Sequence, residues 1–413
     1  MQCEYRVIQN ESTLLEINEA EFISPQQILE NPAKYEPISS EDSKKLKINL
    51  IKIKLNIMNI EDGSETIEHI HVELLNSLTY VNDLLNRIKL TTIEMLNKIS
   101  MIRLFISLSM GEFEDLRSLS LSILATLTDY IPNIHNDLIQ YSFVESIRFN
   151  LESPFFNGQK HVFRWIQNFL IHYHHLSESF FENVPLELIF HSSNRYLSEI
   201  SGKQDATKIE KKICQSMFFF IASCNLNCDQ VSICINFFKQ FIESDTQLGG
   251  MQFVLSGIHK ILSNKNYPKE FLCQEVDELH FHDLLNFFCR NEKNNRKKAL
   301  SFCILGDIYE LGFNDNDLVL VLLNCSFNEE NTVWFNHSII KSLRRILNCC
   351  SDELLVEICD VCMSLIEISD APNFKIRKEI FICIGIFMNR INYQKLMEFL
   401  NEKTIELLFS NLQ

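Results

Sequence analysis

"NHSIIKSLRRILNCCSDELLVEICDVCMSLIEIS", residues 336–369, decides how the chain is read. In its first part Ile339, Ile340, Leu343, Ile346 and Leu347 recur at intervals of three and four, the spacing of a helix with one buried stripe. Ser351-Asp352 then supplies an N-cap, and a second apolar helical pattern follows. The same stretch carries Cys349, Cys350, Cys359 and Cys362, and a C-x-x-C pair is a common zinc signature. Zinc needs four convergent ligands, whereas neighbouring residues on a helix point about 100° apart, so Cys349 and Cys350 cannot readily share a metal. Cys359 and Cys362 alternate with Leu355, Ile358, Val361 and Leu365 on an apolar face, where a free thiol behaves as a small hydrophobe. The cysteines are therefore expected in a helical core, with Cys349 and Cys350 ending one long helix and Cys359 and Cys362 on the next two short ones. Cys214, Cys234, Cys303 and Cys383 sit in the same kind of pattern. No metal and no cofactor is expected.

The long helix recurs. Polar or charged starts followed by the same stripe occur in seven segments, beginning near 116, 160, 208, 250, 296, 336 and 375. Aligned on Thr126, Asn168, Phe219, Lys260, Asp307, Arg345 and Gly385, they are spaced by 42, 51, 41, 47, 38 and 40 residues. Shorter apolar pieces lie between them, as in 271–291, 352–369 and 393–412. Pro132, Pro185, Pro268 and Pro372 fall between the helical segments, and Asn314 to Asp317 offers further caps. A helix over 66–88 precedes the first full repeat. Residues 1–65 lack the repeat and hold seven Lys/Arg, twelve Asp/Glu and three prolines, which reads as a flexible or loosely docked acidic arm. Within it, the alternating "KKLKINLIKIK" (44–54) reads as a strand or packed tail.

Composition agrees with a repeat array. At 413 residues the chain is longer than one compact core usually serves, and ten glycines and eight prolines are too few for a turn-rich β protein. A net charge of −16 disfavours nucleic acid and anionic membrane surfaces. The longest apolar runs, such as Met217 to Ala222, are six residues and far short of a membrane span, and no export signal opens the sequence. Fourteen cysteines without such a signal imply reduced thiols in a cytoplasmic or nuclear protein. The nucleotide, hydrolase and zincin motifs are absent, so no enzyme is expected. His172 and His175 lie i, i+3 without a carboxylate or thiol to complete a set, and His280, His282 and Asp283 likewise lack partners. The basic stretch 290–298 reads as an inter-helix loop.

Period and helix order resemble the armadillo repeats, whose ~40-residue unit has a short, a medium and a long helix. The resemblance covers 66–413 and implies an all-α, right-handed α-solenoid of armadillo-like or HEAT-like repeats with about seven units. The glycine usual between the first two armadillo helices is replaced by Ser142, Val184, Asp277 and Lys403.

In that family the third helices line a concave groove. Importin-α relatives place a Trp and, four residues on, an Asn there to hold an extended basic cargo. The matching pairs here are Ser122/Thr126, Arg164/Asn168, Gln215/Phe219, Ser256/Lys260, Cys303/Asp307, Lys341/Arg345 and Phe381/Gly385. Asn168 alone keeps the pattern, and Trp165 stands one position off. The resemblance thus implies a non-enzymatic protein-binding scaffold, with an importin-α-like transport adaptor as the alternative. Arg164, Asn168, Lys260, Lys341 and Arg345 are the candidate groove residues. Their charge suits an acidic extended peptide or an acidic helix, and exposed cations of this kind contribute little to stability.

Overall fold

The computed structural model describes residues 39–87, 101–130, 142–201, 208–243, 251–278, 294–313, 319–320, 323, 333–368 and 374–391. These form sixteen α-helices and one 3-10 helix, with no strand among the described residues. The helices are α1 (Ser40–Glu61), α2 (Ile67–Arg87), α3 (Ile102–Leu108), α4 (Glu114–Tyr130), α5 (Phe143–Glu152), α6 (Gln159–His172), α7 (Ser177–Asn183) and α8 (Leu186–Ser201). They continue as α9 (Lys208–Ala222), α10 (Cys228–Glu243), α11 (Met251–Leu262), α12 (Lys269–Glu278), α13 (Asn295–Leu311), α14 (Val333–Leu347), α15 (Asp352–Ile368) and α16 (Phe374–Arg390). All seven aligned anchors lie on helices, namely α4, α6, α9, α11, α13, α14 and α16. The chain is an all-α stack of armadillo-like helical repeats, divided into two compact units, Met1–Leu226 and Asn227–Gln413.

In the first unit the long helices pack in sequence, α2 on α4, α4 on α6 and α6 on α9. Short α7, of 7 residues, followed by α8 and α9, of 16 and 15, reproduces a three-helix repeat. Its core is aromatic: Phe143 lies 5.0 Å from Phe169 and 6.1 Å from Trp165, and Phe169 lies 5.0 Å from Phe180. Val184 and Pro185 make the break before α8, with the proline at the entry of the helix, where its missing N–H costs nothing. Ser142, at another position where the family places glycine, holds φ = 62°. An L side chain pays for that left-handed backbone, so Ser142→Gly should raise stability by about 0.5 kcal/mol in denaturant melts. Asp277 stays inside α12 without any such break. Lys403 lies outside the described residues.

The described part of the N-terminal 65 residues departs from the expectation. The 44–54 stretch, read as a strand or a packed tail, is the middle of α1: packed, and helical rather than extended. Leu46, Leu50, Ile53 and Ile57 recur at helical spacing and are buried, and α1 packs on α2. Ser39 caps it, its hydroxyl accepting from Asp42 N at 2.9 Å.

In the second unit α11, α13, α14 and α16 pack in order, with α15 against α16. Here successive pairs such as α10/α11 and α15/α16 give a two-helix, HEAT-like unit. The expected split of 352–369 into two short helices does not occur. No glycine or proline interrupts Asp352–Ile368, so Cys359 and Cys362 share one helix. The cap region 314–317, Pro132, Pro372, the 280–283 histidine cluster and the 393–412 helix lie outside the described residues.

Cys214, Cys224, Cys234, Cys303, Cys350, Cys359, Cys362 and Cys383 are buried, and Cys349 is exposed. Burial foremost drives thiol ionisation upward, for Cys303 to about 11 and for Cys224 to about 12. Site-resolved labelling at pH 8 should therefore modify Cys349 quickly and Cys359, Cys362 and Cys383 only after denaturation. Fast native modification of the last three would contradict their place in the core.

Candidate functional site: the long-helix ladder

The aligned ladder was expected to face a ligand. In the second unit it chiefly joins one repeat to the next. Helices α13 and α14 approach closely because the residues between them are small. A Cβ added at Gly306 would stand 3.2 Å from Ser342 Cα, and Ser301, Ser338 and Ser342 are all buried. Beside this contact the carboxylate of Asp307, 0% exposed, is held from both sides. The Arg345 guanidinium of α14 donates to Oδ1, and Nδ1 of His259, on α11, lies 2.5 Å from Oδ2. Arg345 Nε also stands 4.0 Å from Glu310. Its neighbour Arg344 reaches the other way and donates to Glu379 of α16 at 2.5 Å.

Three successive boundaries are thus each crossed by polar side chains, α11/α13 by His259 and Asp307, and α13/α14 and α14/α16 by arginine–carboxylate ion pairs. Arg390 completes the last boundary by donating to the Leu347 carbonyl and, at 2.7 Å, to the Cys350 carbonyl. These carbonyls end α14 and lack intrahelical partners, so a cation is well placed there.

Each proposed groove residue can now be located. Arg345 is only 24% exposed at its side chain and is committed to Asp307. It is a structural cation, contrary to the expectation that it could be replaced without cost. Lys260, on α11, and Lys341, on α14, are half-buried at their ladder positions. In the first unit Asn168 is 2% exposed, and its amide donates to Ala125 O at 2.7 Å, stitching α6 to α4. That amide is spent inside the fold. Gln167 beside it accepts from Ser216 of α9 at 3.0 Å. Arg164 is half-buried and shares α6 with Lys160 and His161. Burial, then the charges of Lys160 and Arg164, hold the His161 imidazole neutral, with its pKa lowered to about 3.

Sequence reading missed Asp307, His259 and Glu379 as partners. A signal was present: Asp307 interrupts an apolar run and Arg345 follows one repeat later, 38 residues on, with opposite charge.

Other chemistry is sparse among the described residues. No group of three His, Cys, Asp or Glu side chains could hold a metal ion. His172 is the last residue of α6, and His175 lies in the His174–Leu176 turn that follows Tyr173. A cleft of about 230 Å³ beside Phe143, Phe169 and Phe180 is lined by a single ionisable side chain, Glu145, too few for an acid–base pair. Among the described residues no helix is long and apolar enough to cross a membrane.

No family model and no curated protein matches the sequence. Among solved structures, an engineered protein is similar with a TM-score of 0.51 at 11% identity, over 82% of this chain and 90% of its own. A designed armadillo repeat protein in complex with the peptide (KR)4 gives 0.43 at 12% identity, over 59% and 99%. Computationally designed armadillo repeat proteins for modular peptide recognition give 0.46 at 13%, over 57% and 93%. The first likeness is one of fold alone, and the other two fall below the overlap at which a shared fold follows.

Proposed function

We propose that the chain is a non-enzymatic protein-binding scaffold or adaptor of the cytosol or nucleus. Its long-helix face in the 227–413 unit takes an acidic extended peptide or an acidic helix. The observation that carries this reading is the pair of half-buried cations, Lys260 and Lys341, at ladder positions of a chain whose net charge is −16. Lysines at ladder positions of so acidic a chain favour an acidic partner and steer its approach. The same net charge weighs against nucleic acid. The transport-adaptor alternative loses its one supporting residue, because Asn168 gives its amide to Ala125.

The test is fluorescence anisotropy with a labelled Asp/Glu-rich peptide and a Lys/Arg-rich control. The acidic peptide should bind more weakly as salt rises. Lys260→Glu with Lys341→Glu should weaken it roughly tenfold, chiefly by slowing association. Tighter binding of the basic peptide would return the reading to a basic-signal receptor. Unchanged affinity in the double variant would remove this face from the account.

A further inference from the structure

Helix α1 is apolar on two sides. One side, Leu46, Leu50, Ile53 and Ile57, is buried in the first unit. On the other, Ile48, Ile51, Leu55 and Met58 are 53%, 45%, 53% and 49% exposed. A single exposed apolar residue is ordinary, but four in one helical line form a patch. Their spacing is three, four, three, which is the a–d–a–d seam of a coiled coil. Taking Ile48 as a, the flanking e and g positions are Lys45, Lys47, Lys52 and Lys54, all exposed. From Lys44 to Met58 there are five lysines and no acid. Lys45 pairs with Glu41 at 2.6 Å and Lys52 with Glu73 at 3.0 Å. Lys47 and Lys54, on the g side, make no ion pair among the described residues.

We propose that this face of α1 docks an amphipathic helix of a partner protein, with apolar residues at a and d and glutamate or aspartate at e and g. The apolar line supplies the burial, and the lysines choose the partner. A second copy of this chain is disfavoured because it would set lysine against lysine along both flanks. An anionic membrane is disfavoured by the charge of −16 on the whole protein. The seam is about 15 Å long at 1.5 Å per residue, so the interaction is modest in strength and sensitive to single changes. This inference is independent of the long-helix face, since the two surfaces share no residue.

The experiment uses the full chain and two labelled peptides about four heptads long, with Leu and Ile at a and d. One carries Glu and the other Lys at every e and g position. Anisotropy should show binding of the Glu peptide and none of the Lys peptide. Leu55→Asp should weaken the first by about tenfold or more, while Lys47→Glu with Lys54→Glu should reverse the preference. Circular dichroism checks that each variant keeps its helices, and the lysine swap, which touches only exposed side chains, is the arm least able to disturb the fold. Failure of the Glu peptide to bind, equal binding of both peptides, or binding that survives Leu55→Asp overturns the proposal. Capture by phosphatidylserine vesicles that Leu55→Asp abolishes would assign the face to a membrane instead. A dimer dissolved by the same change would assign it to a second copy.

Discussion

Arg345→Met should lower stability by about 3 kcal/mol, the typical cost of removing one partner from a buried ion pair. Methionine keeps most of the apolar stem but leaves the Asp307 carboxylate, 0% exposed, without its arginine and with the His259 ring still 2.5 Å away. Arg345→Glu should be worse, because it sets a second carboxylate against a buried one. An exposed cation replaced by glutamate would change stability by a few tenths of a kcal/mol, so magnitude separates the two roles. The 0% exposure of Asp307 also makes the loss persist at high salt, where surface pairs are screened. The chain has two units, and one global transition is not assured. The reading is therefore best taken from amide exchange in α13 and α14. Exchange there should accelerate by roughly the factor that 3 kcal/mol implies, about a hundredfold. A change within about threefold would show that Asp307 does not depend on this partner.

Trp165→Ala should be larger still, about 4 kcal/mol, the usual range for removing a large buried aromatic. The indole is 0% exposed and lies 6.1 Å from the Phe143 ring, which in turn contacts Phe169 at 5.0 Å and Phe180 at 6.3 Å. A cavity between α5 and α6 would border the rigid Phe143 ring, which is itself held by Phe169 and Phe180. The substitution also decides between two roles. A cargo-slot tryptophan lost from a groove costs binding and leaves stability nearly intact. A core tryptophan costs stability first, and denaturant unfolding of the variant should show a lower midpoint. Retention of the wild-type midpoint would place the indole outside the core.

The helices were legible because their apolar stripes repeat at three and four residues and their period is close to 40. All seven long segments are helices, and the buried cysteines follow from the same stripes. Two readings failed for identifiable reasons. In 44–54 both sides of one helix are apolar, so inward Leu46, Leu50 and Ile53 interleave with outward Ile48, Ile51 and Leu55. The resulting i, i+2 alternation imitates a strand. In 352–369 the armadillo template imposed a break where the residues contain neither glycine nor proline, and the helix runs through. At Asn168, Asp307 and Arg345 the ladder was read without its partners. Ladder residues were compared with a Trp/Asn pattern one repeat at a time, whereas their partners sit one repeat away. Asp307, seen alone, is a missing asparagine. Beside Arg345 and His259 it is the centre of a staple.

A double-mutant cycle on Asp307 and Arg345 tests most directly whether the ladder joins repeats. Asp307→Asn, Arg345→Met and the double variant are compared by denaturant unfolding with amide exchange in α13 and α14. The staple predicts strong coupling: the double variant should be less destabilised than the two single losses added, by about 2 kcal/mol, since each single change strands the other charge. Losses that add to within about 0.5 kcal/mol would show two independent residues and contradict the account.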